Sequence, residues 1–502
     1  MKKFALNWSD LISGPIDMRG VLSVCGIFLL VMGLSIFFGL IAVTTNPVFI
    51  AVGVGLLAAP LLLAKPDWNI WIILVGGILV TGLLPIWVDW VASKMVWVIS
   101  LLGFVLMLSA LFRLGSVSKT IIGTPTFVWL ALAFMLFTII NGLVQWSSFF
   151  EFVSSFKRYF QAIGLLFALV WLGFTEKIVR LWRIFFIIAV LAQLPWALYQ
   201  LVVLVPIREG LAYTYNLVPI DIVAGTFGSS MYGGGANANM ATFLIIALAF
   251  LLSHRREKLL GLGNYLMLLP FVIIPLFMGE TKVVIILLPI MFLTLYRREF
   301  ISRPHQALLA LVMCTILTLA VSYAYFEIRK FNSFNEFFIN TMDYNVYKTG
   351  YGSNELNRTT VLTFWMEQQG AHDPVSAIFG NGSGAANDET HGKLASRYSG
   401  YGIGLTAASI LLWEQGPFGT VLFLSILGYA WCAASRIKYE AVQAWMRADA
   451  AAIEASLPLF AFYLIYSSVL LNNLPFQIFF YSLLGYLAWL YRQHIAYVCS
   501  KP

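Results

Sequence analysis

Apolar stretches long enough to cross a bilayer follow one another through this chain, parted by short polar breaks. A membrane-spanning helix needs about 20 predominantly apolar residues, and few other folds use such a run once, let alone repeatedly. The chain is 60% hydrophobic and 11% charged, against about 25% charged residues in a soluble domain. The pattern therefore specifies an all-α polytopic integral membrane protein, a single membrane domain over residues 1–502. About 14 spans are expected, at 21–44, 47–64, 69–88, 95–112, 122–145, 159–175, 181–205, 236–253, 262–279, 281–296, 305–326, 417–435, 455–472 and 474–491. The close pairs at Gly279 and Asn472 read as broken or re-entrant helices.

The net charge of +8 is mainly a topology signal. Lys and Arg are dealt out in small groups between apolar runs, not gathered on one solvated face as nucleic-acid binding requires. Every second short break holds a cation: Lys65, Arg113, Arg180, Arg255, Arg298 and Arg436 are examples. By the positive-inside rule these breaks and both termini face the cytoplasm. The run after Arg19–Gly20 is too long, and lacks the small-residue cleavage site, for a cleaved signal peptide, so an uncleaved first helix is expected. Cys25, Cys314, Cys432 and Cys499 show no ligand spacing, and neither zinc nor a disulfide frame is suggested.

Two segments then face outward, a first loop over 206–235 and a large one over 327–403. The large loop is rich in polar residues yet carries Tyr344, Tyr347, Tyr398 and Trp365, which can bury surface, so it reads as folded and functional. A third outward stretch, QWSSFFEFVSSFKRYF, sets Phe149, Phe152, Phe156 and Phe160 on one helical face with Lys157 and Arg158 near its end. That is the pattern of an interfacial amphipathic helix.

Outward cations are not needed for orientation. Arg208, Arg358 and Arg397 suit phosphate, because a guanidinium donates bidentate bonds and stays charged; headgroup anchoring or loop ion pairs are the alternatives. Lys282, two residues after Glu280 at a span boundary, faces either a cavity or the surface. His391 can act as a general base, as can Glu355, Asp388 or Glu389, whereas His372 sits in turn-like sequence. Walker, HExxH and GxSxG patterns are all missing.

The order of these parts resembles the O-antigen ligase and polymerase-like superfamily over roughly residues 190–435. Arg208 is followed by GTFGSSMYGGGANAN, with Asn237 and Asn239 similar to the family's Gly/Asn-rich helix start. Then come Thr281–Lys282, Arg358 and Trp365, the glycines of IFGNGSG, and LLWEQGPFG, which places Glu414, Gly416 and Gly419 at the family's Glu-x-Gly-x-x-Gly positions. The family's His–Asn pair ahead of that glutamate is replaced by Leu405 and Thr406, which leaves His391 as the histidine available. The resemblance implies a glycosyltransferase of the bacterial inner membrane that polymerises polyprenyl-pyrophosphate-linked oligosaccharide repeat units at the periplasmic face, in O-antigen or exopolysaccharide biosynthesis. His391, Arg358 and Arg208 would be catalytic; Lys282, Arg397, Glu414, Asn237, Asn239 and Trp365 would bind substrate. It implies no metal, no cofactor and no nucleic acid; the partners are the lipid-linked glycan, membrane lipid and a chain-length regulator protein. An O-antigen ligase that transfers glycan to lipid A core or to protein would use the same parts. A secondary transporter or flippase is the alternative of a different class.

Overall fold

The computed structural model describes residues 62–114, 123–215, 218–232, 236–279, 282–298, 304–329, 356–369 and 373–499, with isolated positions elsewhere. The chain separates into two compact units, 1–65 and 66–502, and the second is described here. The expected spans at 21–44 and 47–64 lie almost entirely outside the described residues. So do Glu280, Thr281, Glu355, His372 and most of 330–355.

The described residues form helices and turns without a strand, and eight helices are long and apolar enough to cross a membrane. This is a helical, multi-pass membrane protein. The eight are α1 (Pro66–Ile86), α2 (Asp89–Leu114, apolar from Met95), α3 (Thr126–Val144), α6 (Glu176–Tyr199), α8 (Asn237–Arg256), α15 (Ala407–Glu440), α16 (Ala444–Tyr466) and α18 (Leu474–Cys499). Helix α6 continues through a π-turn at Gln200–Leu204 into α7 (Val205–Tyr215), so that this span reaches Leu211. Helices α9 (Leu262–Met278) and α10 (Val283–Leu295) are shorter, α11 covers Pro304–Arg329, and α17 (Val469–Asn472) is a single turn.

The amphipathic stretch forms α4 (Phe149–Phe160), and of the expected span at 159–175 the described structure has the nine-residue helix α5 (Ile163–Trp171). Gly103 of α2 and Gly164 of α5 explain the break. A Cβ on Gly164 would lie 2.2 Å from the Gly103 carbonyl, and one on Gly103 would lie 2.1 Å from the Gln161 carbonyl. The two helices cross backbone to backbone there, and Ser100 Oγ donates to Gln161 Oε1 at 3.0 Å. In lipid, small residues at crossings substitute for a hydrophobic driving force. Helix α16 applies the same rule along its length, with Ala448, Ala450, Ala451, Ala452, Ala455 and Ser456 all buried. It packs against α8, α10, α15 and α18 at the centre of the bundle.

Helix directions sort the polar residues into two ends. At one end of α16, Asp449 pairs with Arg183 of α6 (3.0 Å) and His254 of α8 (3.3 Å). Close by in α16, Glu454 pairs with Lys438 (2.8 Å) and Arg297 (2.6 Å). This is the basic end. At the opposite end, Tyr463 of α16 donates to the Ala238 carbonyl (2.6 Å) and accepts from Thr242 (2.8 Å), both on α8. Here the chain after α7 turns back into the bundle, with Ile222 through Phe227 buried. Two glutamines two turns apart on the α6–π-turn face replace its missing secondary structure. Gln200 Oε1 accepts from the Ala224 and Gly225 amides (3.0 and 2.8 Å) and its Nε2 donates to the Gly225 carbonyl. Gln193 does the same for Thr226 (3.0 Å).

A buried amide without an acceptor costs about 1–3 kcal/mol, so this loop's insertion depends on those two side chains. Gln200→Met, which keeps the shape and removes the acceptor, is expected to lower thermal stability in detergent by a clear margin; an unchanged melting temperature would show that the loop is held otherwise.

Candidate functional site

The site is built on a break in α15. Thr406 caps this helix, accepting from Ser409 N while Ser409 Oγ returns a bond from Thr406 N, the reciprocal arrangement that fixes a helix start. Ten residues on, Gly416 takes φ 66° and ψ −179°. Glycine tolerates that backbone, and Pro417 disfavours helical geometry at the residue before it. The break frees carbonyls that the helix would otherwise use, and the GNGSG segment takes them. Asn381 N donates to Trp413 O at 2.9 Å and Gly382 N to Glu414 O at 3.0 Å. Gly380, at φ +83°, allows this approach: its Cβ would lie 2.4 Å from the Glu414 carbonyl. Asn141 of α3 closes the joint, donating to the Phe379 and Glu414 carbonyls at 2.9 and 2.8 Å.

Glu414 is fully buried at this joint. Its Oε1 accepts from Arg158 Nη2 at 3.0 Å and from Ala386 N at 3.4 Å, and its Oε2 from Tyr159 OH at 2.9 Å. Arg158 and Tyr159 end α4, whose start is capped by Ser148 accepting from Glu151 N. The phenylalanine stripe of α4 packs as a ladder, Phe152 on Phe156 on Phe160, with Phe156 stacked on Phe104 of α2. Its opposite, polar face is buried: Glu151, Ser154 and Ser155 turn inward under Gly384.

Residues 356–369 and 373–406 fold over this joint as a cap with helices α12 (Thr360–Gln369), α13 (Pro374–Phe379) and α14 (Lys393–Arg397). The cap has its own small core of Leu356, Val361, Leu394, Ile403 and Trp413, against which Phe364, Trp365 and Tyr398 pack. Between cap and α4 lies a group of ionisable side chains. Lys157 Nζ stands 4.3 Å from the centre of the Trp97 ring. Burial lowers its ammonium to about 8, with Arg158 adding to that and Glu389 opposing it. Partial desolvation raises the Asp388 carboxyl, with Glu389 adding and Arg158 opposing. Glu151 is raised by burial and by Glu414, while Lys393 pulls it down. Carboxyls pushed towards their neutral form near an ammonium pushed towards its neutral form are groups whose protonation states have been drawn towards one another.

The residues singled out in the sequence fall in several places. Arg358 donates from Nε to the Tyr466 carbonyl at 2.6 Å and lies 4.6 Å from that residue's ring centre. It therefore sits at the C-terminus of α16, where a cation is favoured. Tyr466 packs on Tyr463, which bonds α8 between Asn237 and Thr242. Asn237 donates to the Gly279 carbonyl at 3.1 Å, and Asn239 is buried with no partner for its Nδ2 among the described residues. Lys282 precedes α10, three residues after Gly279. Arg208 is buried near the inserted loop, within electrostatic reach of Asp221. These contacts draw Arg358, Asn237, Asn239 and Gly279 into one continuous region at the cap end. Arg397 is exposed beside Tyr398. His391 is exposed in a left-handed turn at φ 51°, its amide on the Asp388 carbonyl; its ring has no hydrogen-bond partner among the described residues. Trp365 is half-buried in the cap.

Sequence reading treated Arg158 only as the end of an interfacial helix and passed over Asn141, Gln193 and Gln200. The last three had a signal: amides inside apolar spans must find partners. Among the described residues no group of His, Cys, Asp and Glu has metal-site geometry. The sequence matches no protein-family model and no curated protein.

Breaking a buried ion pair by removing one partner costs about 3–5 kcal/mol, because the other charge is left stranded. Arg158→Met and Glu414→Gln are each expected to lower the melting temperature strongly, and the double variant to recover part of the loss. Additive losses across the four proteins would mean that the two side chains are not coupled.

Proposed function

We propose that this chain is a membrane glycosyltransferase that polymerises polyprenyl-pyrophosphate-linked oligosaccharide repeat units at the periplasmic face of a bacterial inner membrane. In this reading the chain crosses the membrane about 14 times, both termini are cytoplasmic and the cap end is outside. One observation carries it: the carboxyls of Asp388, in the cap, and Glu151, on α4, both raised by desolvation, stand within electrostatic reach of the cations Arg158 and Lys393 at one end of a membrane bundle. That is what transfer from a lipid pyrophosphate to a sugar hydroxyl requires, namely a proton acceptor next to anion stabilisers.

The step balances as follows. The acceptor hydroxyl oxygen forms a bond to the donor's anomeric carbon, and its proton passes to Asp388. The bond from that carbon to the pyrophosphate oxygen breaks, and its electron pair leaves with the polyprenyl pyrophosphate. Lys157 and Arg358 offset the charge that grows there, with Arg208 and Lys282 on the α7 and α10 side, while Arg158 holds Glu414. Asp388 replaces His391 as the favoured base because its carboxyl lies within electrostatic reach of Arg158 and Glu389; both residues are exposed. A ligase would share the donor and the step and differ in its acceptor. A chain-length regulator is the protein partner this reading calls for.

Proteoliposomes holding the full chain and a polyprenyl-pyrophosphate oligosaccharide test the reading. Glycosyl transfer releases polyprenyl pyrophosphate and lengthens the glycan, whereas a flippase moves the lipid and releases nothing. Asp388→Asn is expected to slow transfer by about 10²–10⁴-fold, the usual weight of a general base, and His391→Ala to leave most of it. The reverse ranking would return the role to His391.

The same groups fix the pH profile. A base must be unprotonated, so activity rises as pH climbs through the raised Asp388 value. An ammonium must be protonated to hold an anion, so activity falls as pH passes about 8, where Lys157 loses its charge. Lys157→Arg is expected to move the alkaline limb upward, since a guanidinium stays charged. An unmoved limb would remove Lys157 from the site.

A further inference from the structure

At the basic end, away from the cap, the bundle contains a cavity of about 520 Å³. Its walls are almost wholly apolar, formed by Leu165, Ile187, Phe243, Phe250 and Leu483 among others. Ile184 and Ile187, which also line it, are 44% and 53% exposed on the outside of the bundle. The cavity thus opens sideways, across a surface that this multi-pass protein turns to lipid. One part of its wall is polar. Asp449 is there, taking hydrogen bonds from Arg183 Nη1 (3.0 Å) and Tyr486 OH (2.5 Å).

Three donors that line the cavity have no acceptor among the described residues: Trp182 Nε1, Arg183 Nε and Ser482 Oγ. Trp182 and Ser482 are more than nine-tenths buried. Buried donors are costly to leave unmade, and native proteins satisfy nearly all of them. The donors therefore point to an occupant that brings acceptors and few donors, attached to a long apolar body. The cationic balance adds its sign. Arg180 and Arg183 line the cavity against the single acid Asp449, and Arg255, Arg256 and Lys258 follow His254 at the end of α8.

We infer that this cavity binds an anionic glycerophospholipid, with an acyl chain along the apolar walls and its ester and phosphate oxygens on Trp182, Ser482 and Arg183. Ester and phosphate oxygens are acceptors without protons, which matches the donors. A membrane lipid also reaches a lateral opening without crossing water. The inference does not depend on glycosyl transfer, since the cavity lies at the other end of α8 and α16 from the cap.

The test uses the full chain in phosphatidylcholine vesicles that contain a small share of phosphatidylglycerol bearing a diazirine on one acyl chain. After illumination, peptide mapping is expected to place adducts on the cavity segments of α6, α8 and α18. Ala247→Trp, which fills the cavity, should remove them. Arg180→Gln, at an exposed position that the fold tolerates, should lower the adduct yield by about fivefold, the weight of one basic side chain near an anionic headgroup. Adducts spread evenly over outward residues such as Leu308 and Leu319 would overturn the inference. So would equal labelling by a diazirine phosphatidylcholine, which would remove the anionic preference. A photoreactive residue at Ile187 that captures another part of this chain instead of lipid would overturn it too. Because every arm is read by labelling, failure here would leave the transferase assay untouched, and failure of that assay would leave the labelling untouched.

Discussion

The cap end depends on one buried carboxylate at one helix break. Glu414 is buried out of water with Arg158, Tyr159 and the Ala386 amide all pointing at it. The same three contacts tie together parts of the chain that have no other reason to meet: the interfacial helix, the GNGSG turn and the upper half of α15. The break at Gly416 is the other half of the device. Without it the carbonyls of Trp413 and Glu414 would stay inside the helix ladder, and the turn would have nothing to pair with. Helix break, turn and ion pair are thus a single construction, and the cap rests on it through Trp413.

The two ends of the bundle treat charge differently. At the basic end Asp449 and Glu454 each meet two basic side chains, and both acids sit on α16, whose alanines bring the neighbouring helices close. Those networks lock helices to one another. At the cap end the ionisable groups outside the Glu414 joint lie where α4 meets the cap, and desolvation shifts Glu151, Lys157 and Asp388 without an ion pair to any of them among the described residues. A structural network gains from complete pairing, and a reactive one from groups whose protons can move. On that distinction the cap end fits the proposed reaction better than the basic end does.

Much of this was legible in the sequence, and what was not has a physical cause. Apolar length located the helices at 69–88, 95–112, 122–145 and 236–253 to within several residues, because bilayer thickness dictates it. It misjudged 159–175, since Gly164 and Gln161 look like ordinary members of an apolar run until the crossing with Gly103 is seen. The amphipathic face of residues 149–160 was plain, yet the pattern says only that one side differs from the other. It does not say that the polar side, with Glu151 and Ser155, is the one that faces protein. LLWEQGPFG and IFGNGSG both stood out as glycine motifs. Their mutual hydrogen bonds could not be read, because backbone pairing across some 30 residues leaves no periodicity to detect.

The two arginines at the cap end show why charge alone does not mark a site. Arg158 and Arg358 both stand beside the turn between α16 and α18: Gln477 holds the Arg158 carbonyl at 2.7 Å, and Arg358 holds that of Tyr466. Arg158 gives its guanidinium to a carboxylate, so much of its field is cancelled within 3.0 Å. Arg358 is oriented by a carbonyl and an aromatic ring. Lys157 is fixed in the same manner, by the Trp97 ring. Arg158 keeps Glu414 satisfied and so holds the joint between α4, the glycine turn and α15 in place.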